Sequence, residues 1–210
     1  MKKENKTDKK QKLEKIDPKI FKHAKITILG IKSSGKSKLI NTFIDYYKKS
    51  TDNFTFKHPK DKEKYFIIKE SMMSDEYFYI DFTEVDDLDR QFDKIKFCDC
   101  LIICSRLDNK EYLNNLIQKI LNPLESFKSN KSIYILGNLI KENEPYKDVE
   151  EVEKDYLELF EDFSTLNLKK FDYLDFDETE KVSQKMKEIL LSIKSKLNFC
   201  PDDCASCCIF

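Results

Sequence analysis

From Gly30 to Ser37 the chain reads GIKSSGKS, which satisfies G-x-x-x-x-G-K-[ST]. That pattern carries a mechanism only between a strand and a helix, and both are written around it. AKITILG, from Ala24 to Gly30, is β-rich, and Leu39, Ile40, Phe43, Ile44 and Tyr47 recur at helical spacing just beyond. A loop that wraps a polyphosphate with backbone N–H groups needs glycine where the chain turns sharply or where a Cβ would strike a phosphate. The chain has only three glycines, and Gly30 and Gly35 are two of them. The spacing predicts that Gly30, Ser33, Ser34 and Gly35 cradle phosphates, that Lys36 reaches the β- and γ-phosphates, and that the Ser37 hydroxyl binds Mg²⁺. The N-terminus of the following helix adds its own positive partial charge.

Downstream, Lys48 to Lys64 is polar with one proline and no sustained period, and predicts a long loop. Within it Thr55 is placed to close over the metal and the γ-phosphate, with Thr51 as its competitor. YFIIKE (65–70) and YFYIDFTE (77–84) read as a hairpin, and Asp81, ending the run YFYID, is placed to hold Mg²⁺ through water. Val85, Leu88, Phe92 and Ile95 recur at helical spacing, and CDCLIICS (98–105) is consistent with a buried parallel strand. A helix carrying Leu113, Leu116 and Ile120 precedes the strand SIYILGN (132–138), and an acidic helix carrying Val152, Tyr156 and Phe163 precedes the strand FDYLDF (171–176). A last helix shows Val182, Met186, Ile189 and Ile193. Six strands, five helices and one early hairpin predict an α/β fold, a six-stranded mostly parallel sheet with helices on both faces.

At 210 residues one core suffices. The expected division is a disordered Lys-rich arm over 1–20, a globular domain over 21–198, and a cysteine-rich tail over 199–210. Charged residues make up 37% of the chain but net charge is only -1, so no overall field points to nucleic acid. No apolar run reaches the ~18 residues of a membrane span, and no apolar segment follows the N-terminal lysines, which disfavours a secreted or transmembrane protein. Cys98, Cys100 and Cys104 sit in or beside a strand-like run and read as reduced, cytosolic thiols. The chain ends Cys207-Cys208-Ile209-Phe210, a C-a-a-X pattern with a geranylgeranyl-type last residue, so Cys207 and Cys208 are the expected lipidation sites. One prenyl chain anchors only reversibly, and a second lipid on Cys208, Cys200 or Cys204 would complete the anchor. Lys194 and Lys196 make a poor polybasic patch, opposed by Asp202 and Asp203.

The phosphate loop, the loop threonine, Asp81, the GN of ILGN and the cysteine-rich end together resemble the Ras superfamily of small GTPases, most nearly its Rab-like branch, over roughly residues 24 to 210. The resemblance implies a P-loop NTPase fold and GTP/GDP with Mg²⁺ as cofactors. It implies two switch loops, about 48–64 and 82–95, that order around the γ-phosphate and bind effector proteins. It further implies a prenyltransferase and a prenyl-binding chaperone as partners, and a lipid anchor on the cytoplasmic face of endomembranes. The function implied is a molecular switch in vesicle traffic, by family analogy.

Several motifs depart from the family's. Its D-x-x-G stands here as Asp81-Phe82-Thr83-Glu84, with Val85 where the family usually has the glutamine that orients attacking water. Glu84 would repel the γ-phosphate and Val85 has no donor or acceptor, so very slow hydrolysis is expected. Lys32 would either neutralise γ-phosphate charge or obstruct a partner's arginine finger. The guanine-reading N-K-x-D stands as Asn138-Leu139-Ile140-Lys141. A lysine in place of an aspartate removes contacts worth about 1.5–3 kcal/mol each, unless a one-residue slip lets Glu142 substitute. Asp175-Phe176-Asp177 aligns with the last base-contacting loop, where the backbone N–H of Phe176 can serve without help from a side chain. Asn138 and Phe176 are thus the expected base contacts. Two other readings stand beside the switch: a membrane-tethered adaptor that does not turn nucleotide over, and a P-loop kinase or ATPase.

Overall fold

A computed structural model describes residues 21–50, 55–57, 64–69, 77–86, 88, 91–108, 110–140 and 149–197. The expected arm, the cysteine tail with Cys207 and Cys208, Thr51, Lys141 and Glu142 lie outside the described residues. The strands are β1 (Phe21–Leu29), β2 (Thr55–Lys57), β3 (Lys64–Lys69), β4 (Tyr77–Val85), β5 (Cys100–Arg106), β6 (Ser132–Asn138) and β7 (Leu168–Leu174). The helices are α1 (Lys36–Ser50), α2 (Phe92–Lys96), α3 (Lys110–Leu116), α4 (Asn122–Ser126), α5 (Val149–Asp162) and α6 (Thr179–Ile193). A π-helical turn over Ile117–Leu121 joins α3 to α4, so the two run as one rod.

The sheet order is β2-β3-β4-β1-β5-β6-β7. Five strands, β4, β1, β5, β6 and β7, run parallel, while β2 and β3 join antiparallel at one edge. β5 and β6 lie inside the sheet with helices over both faces, and every residue of β6 is buried. That is why both read as continuous apolar runs rather than as alternating ones.

The alternation of side chains across β1 and β4 splits the core in two. Ala24, Ile26, Ile28, Phe78, Ile80 and Phe82 pack beneath α1 and α6 with Phe43 and Met186. Leu29, Val85, Leu101 and Ile103 pack on the other face beneath α2, α3 and α5, with Ile95, Leu116 and Tyr156. Phe43 meets Phe82 and Tyr47 edge-on, at ring distances of 6.1 and 5.1 Å. Tyr156 stacks on Phe171 of β7 at 4.0 Å.

The architecture departs from expectation in three places. The sheet has seven strands rather than six, because Thr55–Lys57 pairs with β3 where a loop was expected. Val85 ends β4 instead of starting a helix, and α2 begins only at Phe92. Val85, Leu88 and Ile95, which recur at helical spacing, are all buried in one core. Finally, β7 spans 168–174 rather than 171–176, so Phe176 lies beyond the sheet. The antiparallel hairpin does form, pairing Lys64 with Phe82 through Lys69 with Tyr77.

Near the start of β1, His23 lies edge-on to Tyr79 at 4.7 Å, and its Nε2 is buried without a hydrogen-bond partner. Burial, helped by the charge of Lys25, pushes its pKa down to about 4. In the unfolded chain the imidazole titrates near ~6.5, so protons favour unfolding. The stability held by neutral His23 is complete above that pH and is lost as pH falls toward 4. The urea midpoint of the native chain should fall between pH 6.5 and 5, and His23→Phe should flatten that slope; an unchanged slope would assign the acid sensitivity to other groups.

Candidate functional site

β1 ends at Leu29, and the Gly30–Gly35 loop turns the chain directly into α1 at the C-terminal edge of the parallel strands. In an open parallel sheet this edge, at the point where the strand order reverses beside β1, is where ligands bind. Gly35 has φ +99°, and a Cβ there would meet Asn138 Nδ2 at 2.7 Å and Phe176 Cδ2 at 2.9 Å. A side chain is excluded by conformation and by space alike. Gly30 is pressed between Ser34 Oγ and the carbonyl of Cys104. Ser33 adopts the left-handed conformation, φ +67°, which completes the turn.

Lys36 is buried, and its ammonium donates inward to the carbonyls of Gly30 at 2.7 Å and Ile31 at 3.0 Å. Its third partner is the carboxylate of Asp86 at 2.7 Å, on a side chain 70% exposed. Three donors thus meet three acceptors. Ser37 Oγ donates to Glu84 Oε2 at 2.6 Å. Ser34 is fully buried and its Oγ has no hydrogen-bond partner, so one polar atom of the loop is left unsatisfied. Cys104, behind the loop, is pushed up to about 12 by burial, with the nearby Lys36 charge pulling the other way. Cys98 is pushed up to about 11 by burial, and Cys100 rises with it. All three are free thiols that stay protonated at neutral pH, which makes them poor nucleophiles.

The second wall of the site comes from β6 and the turn after β7. Asn138 closes β6, and its Oδ1 accepts from the backbone N–H of Phe176 at 3.4 Å. Thr42 of α1 donates to the Phe176 carbonyl at 2.7 Å, which ties this turn to the helix that follows the glycine loop. Buried Asp175 holds the turn from within, its Oδ1 accepting from the Asp177 N–H at 2.8 Å. Lys38 pairs with Asp177 at 2.6 Å across the rim.

Eight of the expected residues therefore gather around one loop: Gly30, Ser33, Ser34, Gly35, Lys36, Ser37, Asn138 and Phe176. Asp81 and Thr55 do not join them. Asp81 pairs in register with Lys25, whereas Glu84 pairs with Ile28 beside the loop. Three residues of strand separate the two acids, ~10 Å along the sheet. The parity is also wrong, since Phe78, Ile80, Phe82 and Glu84 share the α1 face while Asp81 points to the other. There Asp81 lines a cavity of about 240 Å³ with Lys25, Thr27, Thr83 and Lys94. Thr55 sits opposite Ile67, and through it and Tyr79 is level with His23. It lies three strands across from β1, ~14 Å, and six residues back from Leu29, ~20 Å.

Glu84 and Asp86, rather than Asp81, are the acids that reach Ser37 and Lys36. The signal for Glu84 was a period of two: Phe78, Ile80 and Phe82 form the apolar series whose next member is Glu84. Tyr79, aromatic on the opposite face, hid it. No protein-family model matches this chain, and no curated protein does so either.

Proposed function

We propose that this chain is a P-loop nucleotide-binding protein of the Rab-like small-GTPase type, a lipid-anchored switch with very slow or absent hydrolysis. The observation that carries the reading is the Lys36–Ser37 pair at the start of α1. One residue donates a cation and the other a hydroxyl toward acids at the end of the neighbouring strand, and Gly35 is packed against Asn138 and Phe176. A hydroxyl and a carboxylate 2.6 Å apart form a hard oxygen set that suits Mg²⁺. Ser37 and Glu84 would hold the ion, and Glu84 takes the role first assigned to Asp81. Mg²⁺ when bound would offset charge on the β- and γ-phosphates. Asn138 and the Phe176 turn would face guanine, with GTP or GDP as the nucleotide.

Counting the family's acid-x-x-glycine from Glu84 gives Glu84-Val85-Asp86-Asp87, followed by Leu88. An acid again stands at the glycine, and Leu88 is buried and apolar where a water-orienting side chain belongs. Slow turnover follows at the shifted register too. Effector proteins would read the segments 48–64 and 82–95. Cys207 and Cys208 would receive prenyl groups from a prenyltransferase, pass through a prenyl-binding chaperone, and hold the protein on endomembranes in the service of vesicle traffic.

A second reading, a tethered adaptor without bound nucleotide, is favoured by one observation. Asp86 and Glu84 already satisfy Lys36 and Ser37 from within the chain. Chromatography of the species released from protein purified without added nucleotide separates the two. Stoichiometric GTP or GDP is expected; an empty site makes the chain an adaptor, and ATP or ADP makes it a kinase or ATPase of the same fold.

A further inference from the structure

At the end of the sheet opposite the glycine loop, two connections lie side by side. The segment from α2 through Phe97 enters β5, and the segment 127–131 enters β6. Phe92 and Phe127 touch at a ring distance of 4.1 Å. Between the segments lies a groove of about 170 Å³ lined by Phe92, Ile95, Phe127, Lys96, Lys128 and Lys131, with Ser129 and Asn130, and with no acidic side chain. Phe97, beside it, is 65% exposed, and Lys96 stands 5.7 Å over its ring. Phe127 is 38% exposed. Large aromatics turned to solvent among lysines, at sites that no core packing requires, mark a surface meant to be covered.

The end of α6 reaches the same place. Lys196 donates to Ser132 Oγ at the start of β6, and Lys22 at the start of β1 donates to the carbonyl of Lys194. Neither lysine pair forms a basic cluster in the sequence; the fold brings them to one end with Lys96, Lys128 and Lys131. The nearby acids are Asp93 and Asp99, and Asp99 already accepts from the Lys25 N–H at 2.7 Å. Burial pushes the Asp99 carboxyl above its ordinary value. Glu125, Glu161 and Asp162 stand toward the β7 edge, where Glu125 accepts from Thr165. The described chain leaves this end at Leu197, ten residues before Cys207, a span of at most ~35 Å.

We propose that this end of the domain docks on an anionic lipid surface, with Lys96, Lys128 and Lys131 around the phosphate headgroups and Phe97 and Phe127 set into the interface. Lysine stems and aromatic rings suit that boundary, because each places an apolar body beside a polar or charged tip. Attraction to acidic lipid grows with each lysine near the surface and fades within a Debye length. A tail fixed to the bilayer within reach of this face would keep it there. The inference takes only its orientation from the lipid-anchor reading, and no part of it depends on bound nucleotide.

The test uses the full chain carrying Cys207→Ser and Cys208→Ser, so that no prenyl group contributes, and sedimentation with phosphatidylcholine vesicles with or without phosphatidylserine. The parent should bind only the phosphatidylserine vesicles. Lys96→Glu with Lys128→Glu should weaken that binding by at least about tenfold. Phe97→Ser with Phe127→Ser should weaken it at unchanged net charge, and equal thermal midpoints would show that both variants fold. Binding that neither variant reduces would assign the attraction to the lysines of the N-terminal arm and overturn the proposal. So would a parent indifferent to vesicles, or a dimer that the Phe97→Ser and Phe127→Ser changes dissolve, which would give the face to a second copy. Mass analysis of the native C-terminus tests the prenyl anchor separately, and its failure would leave the vesicle result standing.

Discussion

Lys36→Met is expected to lower affinity for a Mg²⁺-nucleotide by about 10- to 100-fold, read by titration with a fluorescent guanine nucleotide. The ammonium is nearly out of solvent and has three partners, two loop carbonyls and Asp86. The carbonyls belong to the loop and stay. The exposed carboxylate is the partner an incoming polyphosphate replaces, so binding exchanges one anion for another at a preformed position. Hydrogen bonds to a charged group are worth about 1.5–3 kcal/mol each, and the one donor that Asp86 gives up meets one phosphate oxygen, so the loss is about 1.5–3 kcal/mol. Methionine keeps the apolar stem, and a thermal midpoint near the parent's would separate lost binding from lost folding. Asp86→Ala should move affinity the other way, because it removes the competing anion. That gain is small, since Asp86 is 70% exposed and water screens its side of the pair; it comes to about 1 kcal/mol, or a factor of about five. Opposite signs at residues 2.7 Å apart would be hard to obtain from general damage to the loop. Unchanged affinity in Lys36→Met would remove nucleotide from the site.

How much of this was legible before folding depended on whether local sequence alone fixed the geometry. The glycine loop was legible because Gly30 and Gly35 meet backbone and side-chain atoms within 3 Å of any Cβ, a constraint that few other residues could satisfy. The parallel strands were legible because burial on both faces leaves β5 and β6 no polar alternation to hide behind. Asn138 and Phe176 lie against Gly35 although β7 ends earlier than expected, because Asn138 closes β6 and Phe176 follows just past the end of β7, at the same edge of the sheet. The acid at the end of β4 was not legible. Two acids three residues apart, Asp81 and Glu84, each stand two residues after an aromatic one, Tyr79 and Phe82, and only the pairing with β1 decides which one reaches the loop. Thr55 failed for a related reason, since a three-residue edge strand such as β2 exists through its partner β3 rather than through its own composition. The basic aromatic end was invisible for the plainest cause: Lys22, Lys96, Lys128 and Lys196 are scattered along the chain, and only topology gathers them.

The choice between the two acids has a measurable consequence. Glu84→Gln is expected to weaken Mg²⁺-dependent nucleotide affinity by about 10- to 100-fold, the equivalent of ~1.5–3 kcal/mol for one charged contact. Asp81→Asn should leave it within about twofold, because that carboxylate faces α2 and lies ~10 Å back along the strand. Glutamine can still accept the Ser37 hydroxyl hydrogen bond, so the loop keeps its shape and only the charge changes. The sign should reverse in chelator. Without Mg²⁺, Glu84 presents a bare carboxylate to the phosphates, and Glu84→Gln should then bind nucleotide at least as tightly as the parent. A crossing of that kind, weaker with metal and no weaker without it, is what loss of a metal-holding acid produces, whereas a distorted pocket loses affinity in both conditions. If Asp81→Asn instead shows the Mg²⁺-dependent loss while Glu84→Gln binds normally, the pairing of β4 with β1 must be shifted by three residues. The metal position would then return to the residue that the sequence pattern first suggested.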